Sequence, residues 1–512
     1  MKVLFIAVNP DQDDIVTSLK VFCIYEERDV LYVSALLKEH GHEVMLCDKD
    51  IEEVDYKALD GFNPDIIVLP YYVHPKMVEW AKSKRPGALV TLGIGGMHSF
   101  DRAIDWLKKV EHYDFCLVGR DPYAAWLPLL DSLEAGQGFK GVKGIVYRQG
   151  NDIKKNPGSY PFDINQFKTS DIVCKDKPAI IATSMNCWGG CSFCSMNKGW
   201  KARKVDDVID EIRNLINNGV NTVRFADETF EPPDKGLKRL KELCRGIMGL
   251  EKAIYYRVNF RPDFSKKATD EVMELLLGSG LTGVYIGVES GNQYDLDLYK
   301  KRCTIQDIKN TIKLFNDYAV HIEIGFIMFN PFSTLEGISQ NIDLLESIGM
   351  ADFRSVTTLY QGNDNGLFKE VKKAGLYDKR TGQWAFKDIK AGAVFEMMQL
   401  YLNTLKPEII RYEKALKAMD IHYRLMHYYN RKQLDDDCSI KADEIRQIES
   451  VAHAMSMYIC GWVRELIQIT KEGFDFEKAV GISSQLINKS IIDTATDYIE
   501  RMNKKALKPS KA

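Results

Sequence analysis

Ala179-Ile180-Ile181-Ala182-Thr183-Ser184-Met185-Asn186-Cys187-Trp188-Gly189-Gly190-Cys191-Ser192-Phe193-Cys194 is the stretch on which the reading of this chain turns. A short apolar run leads into three cysteines at C-x3-C-x2-C spacing, which places the loop at the end of a strand. Such a loop can offer three thiolates to one small inorganic body, and thiolates suit zinc or an iron–sulfur cluster. A structural zinc or a fully ligated cluster takes four ligands, and no fourth cysteine sits at motif spacing. Three protein ligands leave one cluster iron open, which is a catalytic arrangement. Chance proximity and half of a split zinc site are the competing readings. Gly189 and Gly190, which give the tight backbone a cluster loop needs, and Phe193, placed to shield it, favour the cluster.

Outward from the loop the apolar pattern repeats. Strand-like runs recur at 179–182, 222–226, 254–258, 284–288, 322–328 and 355–359, with amphipathic helices between them. One helix carries Val205, Val208, Ile209, Ile212, Leu215 and Ile216 on one face. Six strand–helix units predict a partial (β/α)6 barrel of the TIM type over residues 176–365, with its site at the carboxyl ends of the strands. Those ends are polar or glycine-rich: Ala226-Asp227-Glu228, Arg257-Val258-Asn259, Gly287-Val288-Glu289-Ser290 and Gly325-Phe326-Ile327.

Upstream, residues 1–135 alternate five short strands with helices, which predicts a doubly wound, Rossmann-like parallel sheet. Its ligand edge would carry Asn9, Tyr71, Tyr72, His74, Gly95, Gly96, Gly119 and Arg120. No G-x-G-x-x-G follows the first strand and no P-loop occurs, so nicotinamide and nucleoside triphosphate readings lose their support. Residues 136–175 read as a linker and 366–512 as a C-terminal helical domain. His422, His427, Cys438 and Cys460 show no metal-ligand spacing there.

The cysteine loop, Ala226-Asp227-Glu228, Gly287-Val288-Glu289-Ser290 and Gly325-x-Ile327…Pro331-x-x-Thr334-x-Glu336 together resemble the radical S-adenosylmethionine enzymes. With the doubly wound domain ahead of the barrel, residues 1–365 are similar to the cobalamin-dependent branch of that family. The resemblance implies three cofactors: a [4Fe–4S] cluster on Cys187, Cys191 and Cys194, S-adenosylmethionine on its open iron, and cobalamin, as methylcobalamin, on the N-terminal edge. It places Ala226, Asp227 and Glu228 at the methionine amine, Glu289 and Ser290 near ribose and carboxylate, and Gly325 and Ile327 against adenine. Phe193 would lie beside the cluster, and Arg257 is a candidate carboxylate clamp. The chain departs from the pattern in reading Gly119-Arg120-Asp121 where the branch has an acidic turn. It also lacks the D-x-H-x-x-G cobalt ligand, leaving His74 as an alternative.

The activity this implies is methylation of an unactivated carbon, less often phosphorus, through a 5′-deoxyadenosyl radical. Radical oxidation, cyclisation or ring rearrangement with cobalamin as electron relay is the first rival. A non-catalytic cobalamin sensor is the second. A tRNA methylthiotransferase would need cysteines in the N-terminal domain for a second cluster and a basic tail domain. A substrate (small molecule, lipid or peptide) and an electron donor such as flavodoxin or ferredoxin are the expected partners.

Composition bounds these readings. The 512 residues, 45% apolar, suffice for two or three cored domains. A net charge of −3 without a basic stripe argues against nucleic acid. Eleven scattered cysteines fit a reducing compartment, no 18-residue apolar run suggests a membrane span, and no signal peptide is expected. A soluble cytoplasmic protein is the expectation.

Overall fold

The computed structural model describes residues 1–7, 21–48, 61–69, 81–83, 85–93, 99–119, 121–169, 179–194, 199–350, 366–378, 383–404 and 442–473. It separates into two units, one of residues 1–186, 199–228 and 242–255, the other of 187–198, 229–241 and 256–512.

The first unit is built on a seven-stranded sheet. Its strands are β1 (Lys2–Ala7), β2 (Glu43–Asp48), β3 (Ile66–Leu69), β4 (Leu89–Leu92), β5 (Phe115–Leu117), β6 (Ile145–Gln149) and β7 (Asp152–Asn156), in the order β2-β1-β3-β4-β5-β6-β7. The first five are parallel and the last two antiparallel. Side chains alternate along β1: Val3 and Phe5 pack with α1 (Val21–Glu39) and α3 (Trp126–Glu134), while Leu4 and Ile6 pack with α2 (Phe100–Lys109). Helices on both faces make the doubly wound layer that the alternation predicts. β6 and β7 lie in the segment expected as a linker. Gly144 (φ 70°) and Gly150 (φ 62°) turn that segment back, and a Cβ on Gly144 would meet the Val118 carbonyl at 2.8 Å.

The same unit holds β8 (Ala179–Ile181) and β11 (Thr222–Phe225), parallel with Ala179 opposite Val223, and the short antiparallel pair β9 (Ser184–Met185) and β10 (Lys201–Ala202). Between them, α4 (Val205–Asn217) buries Val208, Ile212 and Leu215 at the predicted spacing. α5 (Lys238–Met248) follows β11.

In the second unit β12 (Tyr255–Phe260), β13 (Leu281–Glu289) and β14 (His321–Phe326) run parallel, joined by α6 (Asp270–Gly278), α7 (Gln293–Leu298) and α8 (Ile305–Asp317), with α9 (Leu335–Ile348) after β14. Thr269, Thr304 and Thr334 cap α6, α8 and α9, and Thr304 with Asp307 forms a capping box. This alternation is that of the expected partial barrel. The sixth predicted strand, 355–359, lies outside the described residues.

Beyond it come α10 (Gly366–Lys373), a two-stranded ladder of β15 (Tyr377–Asp378) and β16 (Gln383–Trp384), α11 (Ile389–Thr404) and α12 (Ala442–Glu472). The ladder interrupts what reads as an all-helical domain. α12 packs on α9, where Cys460 Sγ meets the Ile342 carbonyl and Arg464 pairs with Asp343 (2.9 Å) and Glu346. His422 and His427 lie outside the described residues. Among the described residues no helix is long and apolar enough to cross a membrane.

Candidate functional site

The cysteine loop is fixed at its middle. Ser192 N donates to the Tyr299 carbonyl (2.8 Å), its hydroxyl to the Leu298 carbonyl (2.7 Å), and its own carbonyl accepts from Leu367 N (2.9 Å). The end of α7 and the start of α10 therefore hold the backbone between Cys191 and Cys194. Asn186 and Gly190 adopt left-handed backbone (φ 67° and 72°), which coils the chain tightly around Cys187. All three cysteines are outside any disulfide and half-buried. Burial raises the Cys187 pKa, against an N–H donated by Gly189 (3.2 Å) and the nearby Arg261 cation.

Cations crowd this loop. Arg261 stacks on Trp188 with its guanidinium carbon 4.7 Å from the ring centroid, and Lys267 Nζ lies 4.4 Å from the same centroid. Trp188 is fixed by an N–H bond to the Glu231 carbonyl (3.1 Å). Arg261 Nη2 donates to the Lys301 carbonyl (2.7 Å), and Lys301 Nζ pairs with Glu289 (2.8 Å). Burial disfavours the Lys301 charge, but Glu289 and the Cys191 thiol outweigh it and hold its pKa above the ordinary value. Beside them Glu231, 1% exposed, accepts from Thr229 Oγ1 (2.7 Å) and Arg261 N (3.1 Å), yet burial pushes its pKa up to about 7. Arg261, Lys301, Glu231 and Trp188 are absent from the sequence-derived set. Their signal there is faint: Gly189 marks a close approach without naming what approaches.

The strand-end residues of the second unit divide into two groups. Glu289, Ile327, Gly325 and Phe193 gather: Ile327 N donates to the Glu289 carbonyl (2.7 Å), Gly287 pairs with Gly325, and Phe193 stacks edge-on to Tyr299 (5.1 Å) beside Ile327 and Leu367. Gly325 leaves room for the Tyr285 hydroxyl, which would collide with any Cβ there. Ser290 and Arg257 are instead engaged by the fold. The Ser290 hydroxyl is fully buried, 2.7 Å from Asn341 Oδ1 and 3.0 Å from Asp295 Oδ2. Arg257 clamps a carboxylate, but the protein's own: its guanidinium is 2.7 Å from Glu323 on β14.

In the first unit Ala226, Asp227 and Glu228 end β11 in a buried acidic cluster. Asp227 takes N–H and O–H donors from Thr183 (2.7 and 2.6 Å) and the Ser184 hydroxyl (2.9 Å). Arg28, on α1, donates to the Ala226 carbonyl (2.7 Å) and pairs with Glu228 (3.3 Å) and Asp29 (2.8 Å); Tyr123 donates to Asp29 (2.9 Å). The Glu228 side chain is 4% exposed, and its Oε2 has no hydrogen-bond partner among the described residues. Burial raises the pKa of Asp29, Asp227 and Glu228 alike. A buried carboxylate oxygen without a donor is costly unless something supplies one.

Of the residues expected against cobalamin, Gly119 alone lies among those described. It has φ 146°, and Asp121, two positions on, is held by Lys201 (2.9 Å). Asn9, Tyr71, Tyr72, His74, Gly95, Gly96 and Arg120 lie outside the described residues.

The family model of the Radical SAM superfamily matches residues 181–345. An uncharacterised methyltransferase of Pyrococcus horikoshii is 23% identical over 358 residues, 65% of this chain and 75% of that protein. The anaerobic magnesium-protoporphyrin IX monomethyl ester cyclase of Cereibacter sphaeroides is 26% identical over 61% of this chain, which spans about half (52%) of the cyclase. Among solved structures, the cobalamin-dependent S-adenosylmethionine radical enzyme OxsB, with aqua-cobalamin and S-adenosylmethionine bound, superimposes with a TM-score of 0.67 at 16% identity, covering 100% of this chain and 82% of OxsB. The C-x3-C-x2-C loop and the strand–helix repeats behind it thus have their counterpart: residues 181–345 match the radical S-adenosylmethionine superfamily, and the chain shares the fold of the cobalamin-dependent radical enzyme OxsB.

Proposed function

We propose that this protein transfers a methyl group to an unactivated carbon, or to phosphorus, of its substrate, using a [4Fe–4S] cluster, S-adenosylmethionine and cobalamin. The observation that carries the reading is the loop with three half-buried cysteines outside any disulfide, Cys187, Cys191 and Cys194, anchored at Ser192 and faced by cations. These residues would hold the cluster and leave one position for S-adenosylmethionine. When bound, the cofactors supply a reductively generated 5′-deoxyadenosyl radical and a transferable methyl group.

The chain's own residues do the rest. Of the acidic pair assigned to the methionine amine, Glu228 has an oxygen to give, whereas both oxygens of Asp227 are already met by Thr183 and Ser184. Phe193, Tyr299, Ile327 and Leu367 form an apolar wall that keeps water from the loop. Lys301 neutralises Glu289 at the end of β13. Gly119 and its neighbours provide the cobalamin edge.

The name of the Pyrococcus relative and the cofactors of the OxsB structure support methyl transfer. The relative named a cyclase supports a second reading, radical oxidation or cyclisation with cobalamin as electron relay. A reductant such as flavodoxin or ferredoxin serves either reading, in a cytoplasmic setting that keeps the cysteines reduced. Anaerobic reconstitution with iron, sulfide and hydroxocobalamin, followed by spectroscopy and product mass, tests both. Corrinoid uptake with a product heavier by one methylene supports methyl transfer, and product lighter by two hydrogens supports the second. A cluster without corrinoid uptake removes both and leaves a plain radical enzyme.

A further inference from the structure

We propose that Arg261 sets the reduction potential of the cluster by donating an N–H from Nη1 to sulfur at the Cys187 end of the loop, and that Gly189 is glycine to admit it. The inference rests on the reading of the cysteine loop as a cluster holder.

The donors of Arg261 are committed one by one. The backbone N–H goes to Glu231 (3.1 Å), Nε to Asp263 (3.1 Å) and Nη2 to the Lys301 carbonyl (2.7 Å). Among the described residues Nη1 has no acceptor, although the side chain is 6% exposed. That nitrogen lies against the α-carbon of Gly189. A Cβ there would collide with it, and the same Cβ would stand 3.3 Å from Cys187 Sγ. The guanidinium and the sulfur thus approach one missing methyl group from two sides. Trp188 stacking and the Nε and Nη2 bonds leave the guanidinium little freedom to turn away.

Iron–sulfur potentials respond to net charge and to hydrogen bonds on the sulfurs. Reduction brings one electron from the donor into the cluster and takes up no proton, so the reduced state carries one more negative charge. A fixed cation with an unspent N–H favours that state. Lys301 and Lys267 add charge nearby, with Lys301 Nζ held by Glu289 and Lys267 Nζ by the Pro232 carbonyl (3.0 Å).

The test is a potentiometric titration of the anaerobically reconstituted full-length protein, followed by electron paramagnetic resonance, in wild type, Arg261→Met, Arg261→Lys and Gly189→Ala. At the potential where half of the wild-type cluster is reduced, Arg261→Met should show a reduced-to-oxidised ratio about tenfold lower, the scale of one charged hydrogen bond, equivalent to about 59 mV for one electron. Arg261→Lys should recover part of that shift, and Gly189→Ala should move it in the same direction without removing a charge. Equal potentials in wild type, Arg261→Met and Gly189→Ala, at equal iron and sulfide content, overturn the proposal and leave the cluster reading standing. If Arg261→Met holds no cluster, Gly189→Ala decides alone. A wild-type protein that takes up no iron and sulfide overturns the underlying reading itself.

Discussion

Two buried polar regions of this chain are charged in opposite ways. In the first unit Asp29 and Glu228 share one guanidinium, Arg28, while Asp227 relies on neutral donors and an oxygen of Glu228 goes without. In the second, Arg261, Lys267 and Lys301 lie about the cysteine loop, and the buried Glu231 has its pKa pushed up to about 7. Each region is unbalanced as a protein and balanced with a guest of the opposite sign. The acidic one suits an ammonium, and the cationic one suits a thiolate-bound cluster. Uncompensated buried charge is expensive, so such an imbalance points to ligands more directly than residue identity does.

Predictions that would break this contrast run from large to small. Cys191→Ala should lose the cluster altogether, with iron falling to background in the purified protein and product formation with it. Arg28→Met removes the cation of the acidic region and should cost about 3–5 kcal/mol in urea unfolding, because two carboxylates are left buried without their partner. A double variant that also carries Asp29→Asn should lose less than Arg28→Met alone.

Glu231 tests the cationic region through pH. Its folded-state pKa lies above the ordinary 4.5, at about 7, so the protonated form is favoured by folding. Its stabilising contribution is complete below pH 4.5, is lost as pH rises through about 7 and changes no further above that. Glu231→Gln should be immune to this loss. Unfolding free energies in a pH series should therefore diverge in favour of the variant by up to about 3 kcal/mol, and parallel curves would show that folding leaves the Glu231 pKa unshifted.

Glu228→Gln should weaken S-adenosylmethionine binding about 10- to 100-fold, the worth of a charge-assisted bond, with unfolding nearly unchanged. Asp227→Asn should do the reverse, lowering the unfolding midpoint while sparing affinity. Equal effects of the two would erase the distinction drawn between them. The smallest effect is expected for Lys267→Met, about 0.5–1 kcal/mol in stability from its contact with Trp188, with iron content unchanged.

The sequence carries the parts of this picture that are periodic or closely spaced. The C-x3-C-x2-C loop, the alternation in β1 and the apolar face of α4 are local patterns, and the fold keeps them. What it does not carry is partnership across distance. Arg28 meets Ala226 across 198 positions and Arg261 meets the Lys301 carbonyl across 40, so no spacing announces either pair. Ser290 and Arg257 show the converse, since a polar residue at a strand end can be consumed by a neighbour such as Asn341 or Glu323. The β6–β7 hairpin reads in the sequence as linker, because the short, charged β7 shows no apolar alternation.

Glu289 carries a consequence for how this chain can change over generations. Its backbone is left-handed (φ 68°), a conformation that costs a side-chain-bearing residue about 1–3 kcal/mol and that glycine adopts freely. Yet its carboxylate is the partner of Lys301, whose ammonium would be stranded in the interior without it. Single-step replacement of either residue is uphill, and the relaxed alternative is reached when both change together. The end of β13 is thus an epistatic lock, in which these two positions change as a pair.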